Sequence, residues 1–294
     1  MNRDTSLVRP RRRLSRIALV RLIFFFFPLI AVYGGAQGGF AAAVKYIPAN
    51  LRDIAMIAAA AAMLVVMVIV YTLLVRRLER RKVQELWPVR GFSLAIGVIL
   101  ALLAMCAIYA VLGAMGVARW RGISGFGGVE TALIVAVVSG IGEELIFRGG
   151  FFRILEDSMG TAIALILSSA VFGATHLLNP HATPWAAMAI ALEAGVVLGA
   201  AYSATRSLWL PIGIHIGWNF AEGGVFGGAV SGRFGGHGIF DVPLSGPGLL
   251  TGGAFGPETS VVAAAICFVL GLFFVLQTIR RGRWVPLSFH MMLD

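Results

Sequence analysis

Three polar clusters interrupt otherwise apolar, helix-length stretches of this chain: Gly142-Glu143-Glu144-Leu145-Ile146-Phe147-Arg148, Phe172-Gly173-Ala174-Thr175-His176, and His215-Ile216-Gly217-Trp218-Asn219. Ionisable groups at membrane depth are costly and rare, so where they occur they usually mark function. Two carboxylates, a guanidinium, two imidazoles and a carboxamide form a set suited to hydrolysis. A carboxylate or imidazole can take a proton from water, N–H donors can hold an oxyanion, and a protonated acid can return the proton to a leaving amine.

The spacing within each cluster assigns different tasks. Glu144 and Arg148 are four residues apart, so on a helix they share a face and can pair. Glu143 is turned about 100° from Glu144 and projects elsewhere. It is left as the freer carboxylate, the better placed of the two for a general base. His215 and Asn219 also lie at i and i+4, and the neighbouring glycines at 213 and 217 admit a substrate backbone or a second helix. His176 falls late in its apolar stretch. Each cluster alone has a structural reading: a buried ion pair, a capped helix end, an interhelical hydrogen bond. Three clusters on three different stretches favour convergence, because polar side chains in lipid need partners.

The elements that must position these groups are membrane helices. The 294-residue chain is 59% hydrophobic and 13% charged, with a mean hydropathy of +0.88, which excludes an ordinary water-soluble domain. A span needs about 20 mostly apolar residues, and lipid requires its backbone hydrogen bonds to close internally. The expected fold is therefore all-α and polytopic. About eight transmembrane helices are expected, near Ile17–Ala36, Ile54–Val75, Phe92–Val117, Thr131–Phe152, Thr161–Leu178, Trp185–Ala204, Leu208–Phe226 and Ser260–Ile279. The seventh is the weakest, since its second half dissolves into glycine. Gly195 and Gly199 form a small-xxx-small pair suited to close helix packing.

Around these spans the charges are unequal. Eighteen Lys and Arg residues fall on one side and five on the other, which predicts cytoplasmic termini at both ends of a multi-pass protein of the cell (inner) membrane. The net charge of +10 flanks spans, so it points to topology and anionic lipid and not to nucleic acid. Residues 1–16 read as an Arg-rich cytoplasmic tail. Residues 17–294 read as a single membrane domain, with a first span that is not cleaved. Within that domain the charged stretch Arg76–Arg90 is expected to form an interfacial helix. Residues 121–129 are expected to be a Gly-rich loop, and about 223–257 a long Gly-rich loop of the kind that serves as a lid or binding element. Cys106 and Cys267 both lie in spans and imply neither a disulfide framework nor a cysteine metal site.

Glu-Glu-x-x-x-Arg, Phe-x-x-x-His and His-x-x-x-Asn, in this order on successive spans, resemble the CPBP intramembrane protease family. That family, also called Abi, includes CAAX prenyl endopeptidases and bacteriocin-processing or self-immunity proteins. The resemblance covers about residues 130–222. It implies that Glu143 activates water with help from His176, that His215 and Asn219 stabilise the oxyanion, and that Glu144 and Arg148 hold the site together with Phe172 packed beside it. The implied substrate is a membrane-embedded or lipidated protein or peptide.

Other readings of the same residues remain. One carboxylate and two histidines form a known zinc set, so Glu143, His176 and His215 are the ligands of a metal version, although the helical His-Glu-x-x-His motif is absent. The metal-free glutamate mechanism is favoured, with no cofactor. Gly122-Ile123-Ser124-Gly125 supplies the letters of a rhomboid-like serine site, and His176 and His181 give a His-x4-His pair. The order is reversed, however, and Ser124 lies in a loop. A transporter or a non-catalytic scaffold could use Glu143, Glu144, Glu193 and the histidines for protons or cations. Inverted repeats and paired broken helices, which would support a transporter, are not evident.

Overall fold

The computed structural model describes residues 18–88, 91–233 and 235–287. The Arg-rich tail expected over residues 1–16 lies outside the described residues. Helices dominate. In chain order they are α1 (Ala18–Ala43), α2 (Arg52–Leu74), α3 (Phe92–Ala114), α4 (Val129–Glu144), α5 (Arg153–Met159), α6 (Thr161–Thr175), α7 (Pro184–Ile190), α8 (Val197–Thr205), α9 (Trp209–Phe220), α10 (Gly248–Thr251) and α11 (Val261–Arg280). Among the described residues sheet is limited to one antiparallel ribbon, β1 (Gly122–Ile123) against β2 (Phe240–Asp241).

Four stretches of π-helix continue the regular helices: Val75–Glu79 after α2, Leu145–Phe152 joining α4 to α5, Ala191–Val196 joining α7 to α8, and Ala221–Val225 after α9. A π-turn spaces its hydrogen bonds one residue wider and often marks a functional site. Here the last three carry Arg148, Glu193 and Glu222, all buried.

Six helical segments are long and apolar enough to cross a membrane among the described residues: Ala18–Tyr46, Ala49–Glu79, Phe92–Ala114, Thr161–Leu178, Pro184–Thr205 and Val261–Arg280. They match six of the eight expected spans. The other two are helical but fall short for physical reasons. The helix from Val129 onward carries Glu143, Glu144 and Arg148 in its middle, and α9 is only 12 residues long before its π-turn. Large apolar side chains point outward along the long helices, among them Phe27, Val65, Leu103, Ile166 and Phe268. Such surface suits lipid and not water. The chain is a multi-pass, all-α membrane protein.

Packing follows the small residues. α3 lies against α9, where a Cβ on Gly213 would sit 2.1 Å from the Leu94 carbonyl and one on Gly217 2.7 Å from the Val98 carbonyl. The glycines beside His215 thus admit a second helix. Gly195 and Gly199 likewise face α6, where added Cβ atoms would meet Ser169 and Leu165. α4 packs on the other side of α9, and α11 closes against α8. α1 and α2 pair with each other and lean on the π-turn after α4.

The stretch expected as an interfacial helix is not one. The helix ends at Arg80, which takes a left-handed conformation with φ 55°, and residues 80–86 run as turns and coil. Side-chain demand explains the departure. Glu85 is buried, accepting hydrogen bonds from Tyr71 Oη and from both ends of the Arg81 guanidinium, while its carbonyl accepts the Leu208 N–H. A continuous surface helix could not deliver that carboxylate inward. Arg21, Arg81 and Arg153 converge on Glu79 nearby, and Glu156 is held by Thr161, Ser203 and Arg206.

The two glycine-rich segments behave as loops with internal order. Residues 121–129 contribute β1. The long segment beyond residue 225 contains β2 and α10, and it folds back so that Ser231 and Glu258 reach the helix bundle.

Candidate active site

The Glu144–Arg148 pair forms as the spacing predicts. Arg148 Nη1 donates to Glu144 Oε1 at 2.7 Å, and both side chains are buried. The second nitrogen, Nη2, donates to the carbonyls of Ala194 and Gly195 at 2.6 and 3.2 Å. Those carbonyls belong to a π-turn, where the wider hydrogen-bond spacing loosens the hold of the helix on its own acceptors. The guanidinium also lies over the Phe172 ring, 4.6 Å from its centroid. One cation therefore ties α4, α6 and the α7–α8 junction together. Burying a charge pair is tolerable only when most of its hydrogen-bonding groups are met; Nη1 and Nη2 both find acceptors, while Glu144 Oε2 has none among the described residues.

Glu144 Oε1 also faces His215 Nδ1 at 3.0 Å. With Nδ1–H donating to that oxygen, the working nitrogen of His215 is Nε2. Nε2 in turn stands 4.0 Å from Glu143 Oε2. Glu143, about 100° round the helix from Glu144, keeps partial exposure, with its second oxygen accepting a 3.0 Å hydrogen bond from Tyr33 Oη. Gly142 makes this possible, since a Cβ there would come within 2.4 Å of the Tyr33 ring.

His176 ends α6. Its Nδ1 lies 2.9 Å from the Phe172 carbonyl, so Nδ1–H is committed to the backbone and Nε2 is the nitrogen left for chemistry. Phe172 stacks between neighbours, with ring centroids 4.8 Å from His176, 4.8 Å from Phe147 and 6.4 Å from His215. It is buried and spaces the two imidazoles. Asn219 donates from Nδ2 to Ser139 Oγ at 2.8 Å, and that hydroxyl donates onward to the Val135 carbonyl at 2.9 Å. The carboxamide is thereby oriented, with one N–H left over.

His176, His215 and Asn219 line one cavity between α3, α6, the α7–α8 junction, α9 and α11. Glu143 is not among its lining residues. It sits at the edge, next to His215. Asn219 also borders a second, more open hollow walled by Thr131, Val135, Gly223 and His237. Ser124 lies apart from both, exposed beside β1 with its backbone N–H on the Ile239 carbonyl.

A zinc set would need donors gathered around one point. Among the described residues no group of three or more His, Cys, Asp or Glu side chains is arranged to hold a metal ion. Glu143, His176 and His215 are therefore not placed to hold zinc together.

Several residues of the site escape a reading of spacing alone. Tyr33 comes from α1, more than a hundred residues before its partner, and a lone tyrosine in an apolar helix carries no signal of its role. Ser139 is hidden the same way. Glu193, Glu222 and Glu258 carried a weak signal, as acids in or beside apolar stretches. All three are buried around the cavity.

Residues 125–221 match the family model described as Type II CAAX prenyl endopeptidase Rce1-like. No curated protein matches the chain, and no solved structure does. The matched segment contains all three motifs, so the likeness to that family falls on the segment that carries the candidate site.

Proposed function

We propose, from a CAAX-type protease core over residues 125–221, that this protein hydrolyses a peptide bond of a membrane-embedded or lipidated client, using water activated by Glu143. One observation supports the assignment most. Glu143 Oε2 and His215 Nε2 are 4.0 Å apart, too far for a direct hydrogen bond and close enough for one water to touch both.

In this mechanism Glu143 takes a proton from that water as its oxygen attacks the scissile carbonyl carbon, with His176 as the second group able to share the proton. The carbonyl oxygen gains the negative charge. Asn219 donates its remaining N–H to it, and His215, when its ring carries both protons, donates Nε2–H. When the C–N bond breaks, the protonated Glu143 gives its proton to the departing nitrogen, leaving a carboxylic acid and an amine. Tyr33 orients Glu143 through the oxygen that does not face His215. Glu144 and Arg148 position His215 and the helices around it. The setting is one membrane domain of the cell membrane with both termini cytoplasmic, as the unequal distribution of basic residues favours.

The test is cleavage of a membrane-embedded client by the purified protein in lipid. Glu143→Gln keeps the shape and removes the base, so the rate should fall by about 10²–10⁴-fold. Asn219→Ala should lower it by about 10²–10³-fold, the scale of one oxyanion donor. Ser124→Ala should cleave like the parent. Full activity in Glu143→Gln would overturn the mechanism, and activity removed by a chelator and restored by zinc would replace it with a metal-dependent one.

A further inference from the structure

The cavity beside the site has walls of one kind and an end of another. Leu100, Ala101, Val197, Leu198 and Leu270 make it apolar, yet Glu193 and Glu258 also line it. Glu193 is 3% exposed, and neither of its carboxylate oxygens has a hydrogen-bond partner among the described residues. It stands in the Ala191–Val196 π-turn, the local geometry that elsewhere in this chain presents Arg148 to its partners. Glu258, 2% exposed, accepts the Ser231 N–H at 2.6 Å. Behind it, Glu222 accepts the Glu258 N–H through Oε1 at 2.9 Å, while its Oε2 has no partner among the described residues. No salt bridge engages any of these three acids among the described residues.

An unpartnered carboxylate buried among apolar groups is strongly unfavourable unless a proton or a cation joins it. If structure were its only role, an apolar residue would serve the same helix contact better. These acids are not gathered to chelate a metal ion. A purely apolar occupant, such as a lipid chain, would gain from the walls and lose at the carboxylates. A long aliphatic stem ending in a cation satisfies both, with methylenes along the leucines and valines and the charged head at Glu193.

We infer that the cavity is a specificity pocket for a substrate Lys or Arg side chain, with Glu193 as the residue that receives its cationic head and Glu258 beside it. The inference rests on the peptidase reading, because the pocket shares His176, His215 and Asn219 with the proposed reaction centre. Discrimination follows from the buried charge. A neutral side chain of the same length leaves the carboxylate unmatched, whereas Lys or Arg pairs it.

Matched membrane-embedded peptides carrying Lys, Arg, Gln or norleucine at the positions flanking the scissile bond test this directly. The Lys or Arg peptide should exceed the norleucine peptide in kcat/KM by about 10²-fold or more. Glu193→Gln should bring that ratio close to one, and Glu193→Leu should reverse it. A second arm reads binding without turnover. Butylammonium should raise the melting temperature of the parent in detergent and leave Glu193→Gln unmoved, while butan-1-ol should do neither. Equal cleavage of the four peptides, or a Lys preference that survives in Glu193→Gln, overturns the inference and leaves the peptidase reading standing. If no peptide is cleaved but butylammonium stabilises the parent alone, the pocket stands and the peptidase reading falls.

Discussion

Glu144 and Glu193 are both buried glutamates on helices that touch, yet they live under opposite conditions. Glu144 shares one oxygen between Arg148 and His215. Glu193 has no partner on either oxygen among the described residues, although the same Arg148 donates to the carbonyl of the very next residue, Ala194. The cation bonds the backbone one and two residues further on and makes no ion pair with the Glu193 side chain among the described residues. The difference separates two uses of buried charge. Around Glu144 it is a clamp, paired so that three helices keep one geometry. Around Glu193 it is left without a partner beside a cavity, among the described residues, open to a proton or a cation.

The comparison breaks most visibly in stability. Removing one member of a buried pair strands the other, so Arg148→Ala should lose about 3–5 kcal/mol, read as a lower melting temperature and lower yield in detergent. An Arg148→Ala protein as stable as the parent but inactive would make Arg148 part of the chemistry and dissolve the contrast. Glu193→Leu should move the other way. Replacing an unpartnered carboxylate by an apolar group should leave stability unchanged or raise it by about 1–3 kcal/mol. Destabilisation by Glu193→Leu would mean that this acid is a clamp as well.

A smaller effect is expected at Tyr33. Its hydroxyl makes one hydrogen bond to Glu143, so Tyr33→Phe should cost roughly 1 kcal/mol, about a fivefold loss of rate, with the fold intact. A loss as large as that of Glu143→Gln would give Tyr33 a direct part in the reaction.

The smallest effects carry the same contrast outside the spans, as opposite slopes with pH. Burial alone would raise the Glu85 carboxyl, but the hydrogen bonds from Arg81 and Tyr71 outweigh it and hold it below the usual carboxylate range. Its stabilising contribution is present above the unfolded-state value and is lost as pH falls through the folded one. Burial raises the Glu258 carboxyl above the usual range, so its folded form keeps a proton that the unfolded chain releases, and stability falls as pH rises. Melting curves between about pH 4 and 7 should therefore show Glu85→Gln losing most relative to the parent at the upper end, and Glu258→Gln gaining most there. Parallel slopes for the two variants would count against the assignment.

What could be read in advance was local. An i,i+4 interval means the same thing on any helix, so the Glu144–Arg148 pair and the shared face of His215 and Asn219 followed from spacing, and long apolar runs had to be helices because lipid offers the backbone no other partner. The three motifs, each weak alone, pointed together to the family that the match over residues 125–221 supports. One feature that looked equally local proved otherwise, and one had its open choice settled by packing. Arg76–Arg90 carries the pattern of a surface helix, but Tyr71 and Arg81 draw Glu85 inward and the chain turns at Arg80. The glycines around His215 admit α3. Contacts between distant helices belonged to the tertiary structure alone: Tyr33 on Glu143, Ser139 under Asn219, Glu222 behind Glu258. No interval along the chain encodes them, because each depends on which faces of two segments meet, and that depends on the residues of both, as where Gly142 lets Tyr33 approach. The same packing, and nothing in the order of residues, left Glu193 without a partner beside the cavity.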